Sequence, residues 1–154
     1  VGGLDVSLDS TSPEDESGLA YFSFAERERV DALLIDRDVA DAAIIHRLAA
    51  KSKHLDFCLK SCASIDDARQ ILSEKTFDIV YVDYWMGDET SLAFIHEFSI
   101  MHGVPLVLLT ALDEPDIRRI AFRAGARGFL SKEEISTQAI EGVTLTALGA
   151  RAQN

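Results

Sequence analysis

Short, unbroken apolar runs recur along the chain: ALLI at 32–35, IVYV at 79–82 and LVLL at 106–109, with weaker ones at 55–59 and 128–130. Such runs, rich in Val, Ile and Leu, are too short for buried helices and read as strands covered on both faces. Between them apolar residues return at helical spacing: Ala40, Ile44 and Leu48; Ile65, Ala68 and Leu72; Leu92, Ile95 and Phe98. The same spacing continues through Ile117, Ile120, Ala121 and Ala124, then Ile140, Val143 and Ala147. Ser64 with Asp67 three later predicts a capped helix start, Pro115 suits a first helical turn, and Gly149 predicts a C-cap. Five strands alternating with five helices predict an α/β domain, a doubly wound five-stranded parallel sheet with helices on both faces.

Composition narrows the picture without changing it. The 154 residues, 47% hydrophobic, suffice for one domain of ordinary size. Residues 1–29 hold seven acidic and two basic residues and read as an acidic N-terminal extension, partly flexible, ahead of a domain at 30–150. Within the extension Tyr21, Phe22 and Phe24 form an aromatic patch suited to docking on the domain or on a partner. The net charge of −11 argues against nucleic-acid binding by this domain. No apolar run reaches the roughly 18 residues of a membrane span, and no signal peptide is evident, so a cytoplasmic location is expected. Cys58 and Cys62 lie too far apart on a strand for a disulfide and make a poor metal site on a helix. His46, His54, His96 and His102 show no metal spacing.

Chemistry gathers where the strands end. Asp36-Arg37-Asp38 follows the first strand, Asp83 the third, Thr110-Ala111 the fourth and Ser131-Lys132 the fifth. In open parallel sheets ligands bind beyond these carboxyl ends. Carboxylates, a hydroxyl and an ammonium converging there would shift one another's pKa values and suit phosphoryl chemistry.

The segments LLIDRD (33–38), FDIVYVD (77–83), PLVLLTA (105–111) and AGARGFLSK (124–132) resemble the receiver domain of two-component response regulators, chemotaxis-regulator-like. The resemblance implies a flavodoxin-like (βα)5 fold with strand order 2-1-3-4-5. It also implies a signalling switch rather than an enzyme with a turned-over substrate. Asp83 would be the phospho-acceptor, taking a phosphoryl group from a histidine kinase or histidine phosphotransferase. Lys132 would pair with the acceptor carboxylate and then with a phosphoryl oxygen. Thr110 would be the switch hydroxyl, beside the small Ala111, and Phe129 the aromatic switch. Output would pass by protein–protein contact through the helix 4–strand 5–helix 5 face, to a downstream protein target or a second copy in a homodimer. Mg²⁺ would be held by Asp36, Asp83 and the backbone carbonyl of Trp85.

Two positions depart from the family pattern. Arg37 stands where the second member of an acidic pair usually ligates Mg²⁺. Its charge should weaken metal binding or partly replace the ion, with Asp38 a candidate to compensate and outward display to solvent the plainer reading of Arg37. Gly87 stands where the family often has Pro, which predicts a more mobile loop, and Trp85, two residues beyond the acceptor, is placed to tune hydrolysis of the phosphoryl group. Glu133 replaces another common Pro. Two rival readings are a degenerate receiver binding partners without phosphorylation, and a haloacid-dehalogenase-like phosphatase using Asp36 and Asp38. The phosphatase reading leaves Asp83 unexplained.

Overall fold

A computed structural model describes residues 27–111 and 115–153, with side chains up to 149. The expected extension, including Tyr21, Phe22 and Phe24, lies almost wholly outside the described residues. The elements run β1 (Glu28–Ile35), α1 (Val39–Ala50), β2 (Leu55–Cys62), α2 (Ile65–Glu74), β3 (Ile79–Asp83), α3 (Leu92–Met101), β4 (Leu106–Thr110), α4 (Pro115–Ala124), β5 (Gly128–Ser131) and α5 (Thr137–Gln153). A 3₁₀ turn at Lys132–Glu134 follows β5, and a small antiparallel hairpin pairs Trp85–Met86 with Glu89–Thr90 between β3 and α3. The main sheet is parallel throughout, in the order β2-β1-β3-β4-β5.

Alternate residues of the central strands feed two cores. Leu33, Ile35, Val80, Val82, Leu106 and Leu108 pack with Phe94, Ile95 and Phe98 of α3 and with Ile117 and Ala121 of α4. Val30, Leu34, Ile79, Val107 and Leu109 point the other way, onto Ala42 and Ile45 of α1 and Ile140 and Ala147 of α5. Burial on both faces is why these strands read as continuous apolar runs rather than alternating ones.

Several local expectations need correction. The run at 32–35 is the second half of β1, which takes in Glu28 and Arg29 from the expected extension; β2 continues to Cys62. The buried face of α1 is Ala42, Ile45 and Ala49, while Ala40 is exposed and Ile44 is 38% exposed. That helix is apolar nearly all round, so periodicity could not choose its inner face; packing on the sheet does. Gly149 does not cap α5, which runs through it to Gln153. Ser64 accepts from the Asp67 amide as its spacing predicts, and Pro115 opens α4.

Polar contacts fix α5 against the rest. The Thr137 hydroxyl donates to the Leu48 carbonyl, the Ser52 hydroxyl donates to Glu141, and the Tyr81 and Thr144 hydroxyls meet in the core. Because α5 mixes small and polar residues, these contacts set its rotation where apolar patterning is weak.

Candidate functional site

The parallel register aligns the strand ends. Asp83 pairs with Leu109, one residue before Thr110, and Thr110 pairs with Ser131. One residue past β1, the Asp36 amide donates to the Cys62 carbonyl, which extends the ladder and fixes the direction of the Asp36 carboxylate. Ser131 accepts from the Glu133 amide and so shapes the 3₁₀ turn that delivers Lys132. Thr110 is buried, and Ala111 beside it is exposed.

Lys132 is the hub. Its Nζ lies 2.7 Å from Asp36 Oδ2, 2.9 Å from Asp41 Oδ2 and 3.2 Å from Asp83 Oδ2. Asp36 is only 2% exposed, and its Oδ1 accepts from the Asp38 amide. The second oxygen of Asp83, Oδ1, accepts from the amide of Tyr84. Burial, and after it the negative charge of Asp36, push the Asp83 carboxyl up to about 6, against the opposing charge of Lys132. Burial works against the Lys132 ammonium too. Hydrogen bonds to Asp36 and Asp41 and the charge of Asp83 outweigh it, so its pKa rises.

Asp36, Asp83 and Lys132 are thus brought together as their positions in the sequence implied, and Thr110 stands at the adjoining strand end. Asp41 is the residue that sequence reasoning missed. It occupies the first turn of α1, three residues after the N-cap, where an acid is ordinarily read as a helix-stabilising charge. The other acid, Asp38, is the N-cap of α1: its Oδ1 accepts from the Ala40 and Asp41 amides, and it makes no ion pair with Lys132 among the described residues.

Arg37 is exposed, and among the described residues no carboxylate lies within ion-pair distance of it. Its guanidinium lies against Gly87, whose φ of +87° belongs to the left-handed region. Trp85 is 48% exposed and meets the buried Tyr84 ring edge-on at 5.3 Å. Phe129 is half-buried, with the Arg118 guanidinium over its ring at 5.1 Å.

Mg²⁺ takes hard oxygen ligands in an octahedron. Asp36, Asp83 and the Trp85 carbonyl have the right chemistry; the buried Asp36 Oδ2, 2.7 Å from the Lys132 ammonium, has no hydrogen-bond partner, while position 37 supplies no carboxylate. Among the described residues no group of three or more His, Cys, Asp or Glu side chains could hold a metal ion. Two carboxylates and a carbonyl would hold the ion only with water completing the octahedron, and a third carboxylate from position 37 is missing. No helix among the described residues is long and apolar enough to cross a membrane.

Comparison with known proteins agrees with this geometry. The family model described as response regulator receiver domain matches residues 32–143. The sensory/regulatory protein RpfC of Xanthomonas campestris pv. campestris is 26% identical over 94% of this chain, which spans only 21% of that protein. Among solved structures, the signal receiver domain of an HD domain-containing protein from Pseudomonas fluorescens Pf-5 superposes with a TM-score of 0.70 at 17% identity, over 82% of this chain and all of that one. The signal receiver domain of the putative response regulator NarL from Mycobacterium tuberculosis gives 0.68 at 23% identity, over 79% and 98%. At these identities the structures speak to fold alone, and the family model carries the assignment. The chain belongs to the response regulator receiver domain family.

Proposed function

We propose that this domain is a phosphoryl-accepting switch of a two-component system, modified on Asp83 by a histidine kinase or histidine phosphotransferase. The observation that supports it most is the Asp83 carboxylate at the tip of the middle strand, 3.2 Å from the Lys132 ammonium. In the transfer, an Asp83 oxygen bonds to phosphorus as the phosphorus–nitrogen bond of the donor phosphohistidine breaks. The imidazole nitrogen leaves with the electron pair and is reprotonated. Lys132 neutralises charge on the phosphoryl oxygens, and the fixed carboxylate supplies orientation. Bound Mg²⁺ would neutralise further charge on the same oxygens. The domain accepts one group and holds it; it is not an enzyme with a released product.

Output is assigned to the α4–β5–α5 face, where Ile120, Phe122 and Leu145 are exposed. Thr110 and Phe129 would couple that face to Asp83. A phosphorylation-independent binding module is the second reading, favoured by Arg37 where the family places a metal-ligating acid. Incubation with acetyl phosphate and Mg²⁺, followed by intact mass, decides between them. A gain of one phosphoryl group that Asp83→Asn abolishes supports the switch; an unmodified wild-type chain supports the module.

A further inference from the structure

An ammonium has three N–H donors, and three carboxylates surround that of Lys132: Asp36, Asp41 and Asp83. Two of these contacts are short and come from rigid places, the one to Asp41 a hydrogen bond and the one to Asp36 an ion pair that lacks hydrogen-bond geometry. Asp36 is buried and tied by the Asp38 amide, and Asp41 rides on the first turn of α1, whose start the Asp38 cap fixes. The longest contact is the one to Asp83. An ammonium held at one point can pivot about it, whereas one held at two points has its remaining N–H aimed.

We propose that Asp41 is a positioning residue of the acceptor site, holding the Lys132 ammonium at a second point so that its third N–H stays directed at Asp83 and at the phosphoryl group arriving there. The proposal rests on the reading of Asp83 as phospho-acceptor. It also answers to what is particular about this chain. Position 37 brings no carboxylate to the strand ends, and the first turn of α1 supplies one to the lysine. During transfer the third N–H passes from Asp83 Oδ2 to a phosphoryl oxygen, while the contacts to Asp36 and Asp41 persist. No bond to Asp41 forms or breaks, and it touches no reacting atom.

Two readouts test the role. The first is the rate of phosphoryl gain from acetyl phosphate, followed by intact mass, for wild type, Asp41→Asn and Asp41→Ala, each also in a Lys132→Met background. Asp41→Ala should slow modification roughly tenfold. Asp41→Asn should lie closer to wild type, because its amide oxygen accepts the same N–H. In the Lys132→Met background Asp41→Ala should change nothing. An equal slowing in both backgrounds overturns the proposal.

The second readout is the proton–nitrogen correlation of the Lys132 ammonium in the unmodified protein, with a thermal unfolding midpoint as the control for folding. The signal should shift and broaden in Asp41→Ala; an unmoved signal in a folded variant overturns the proposal, and if the alanine variant does not fold the asparagine variant decides in the same way. Should wild type take up no phosphoryl group, the acceptor reading fails, and the ammonium signal alone still decides whether Asp41 holds Lys132.

Discussion

The Nη1 atom of Arg37 lies 3.1 Å from where a β-carbon on Gly87 would stand. The two departures from the family pattern therefore meet: a side chain at 87 would press on the Arg37 guanidinium, which would have to give by a few tenths of an ångström. Proline is excluded by the backbone, since its φ is fixed near −65° and Gly87 sits at +87°.

Gly87→Ala should lose about 1–2 kcal/mol of stability from left-handed strain, more if Arg37 cannot yield. Adding Arg37→Ala should recover only the part due to the contact. Urea unfolding midpoints measure both, and an unchanged midpoint for the single variant contradicts the coupling.

Asp83 makes stability depend on pH in an uncommon direction. Its folded-state carboxyl sits near 6, above the ordinary value of 3.8, so the native state binds the proton more tightly than the unfolded chain. Stability therefore falls as pH rises from about 4 to about 6, and the loss persists above that range. Asp83→Asn should stabilise the domain by on the order of 1–3 kcal/mol at pH 7.5, with the gap narrowing at pH 4.5. Urea titrations at the two values check it; a destabilised Asn variant at pH 7.5 would reverse the sign.

Mg²⁺ should bind weakly, without saturation at low millimolar concentration. Arg37→Asp should tighten it by on the order of tenfold or more by restoring a carboxylate. Trp85, the single tryptophan, reports binding by its fluorescence. Tight, saturable binding by wild type would count against the weakening ascribed to Arg37.

Trp85→Asn should shorten the lifetime of the proposed phosphorylated form by several-fold, if the indole there would shield an acyl phosphate on Asp83 from water. Loss of phosphoryl mass over time, after removal of the donor, is the measurement. Equal decay would leave Trp85 with only its edge-on packing on Tyr84.

Tyr81 and Thr144 join β3 to α5 by a buried hydroxyl pair. Tyr81→Phe should cost about 1–2 kcal/mol by leaving the Thr144 hydroxyl short of its partner. The double variant with Thr144→Val should cost less than the sum of the two single changes, as thermal or urea unfolding would show.

Strand identity was legible because residues 32–35, 79–82 and 106–109 are covered on both sides, which leaves an unmistakable apolar signature. The inner face of α1 was not, since VADAAIIHRLAA offers apolar residues in every direction. At the site, Asp36, Asp83, Thr110 and Lys132 were legible because each directly follows a strand or closes one. Asp41 was hidden by its ordinary appearance as an acid in a first helical turn, and its contact with Lys132, 91 residues away, is a product of tertiary structure. The side-chain fate of Arg37 was equally beyond the sequence, because it depends on the backbone of a loop from another part of the sheet.

The cation resting over Phe129 has a consequence for signalling. In the proposed switch, a Phe129 ring that swung away from the Arg118 guanidinium would forfeit roughly 0.5–1 kcal/mol at a partly exposed position. That preloads the quiescent conformer by about two- to fivefold. Under the proposed function such a bias would quieten spontaneous firing and still be small enough for a doubly charged group at the sheet edge to overcome.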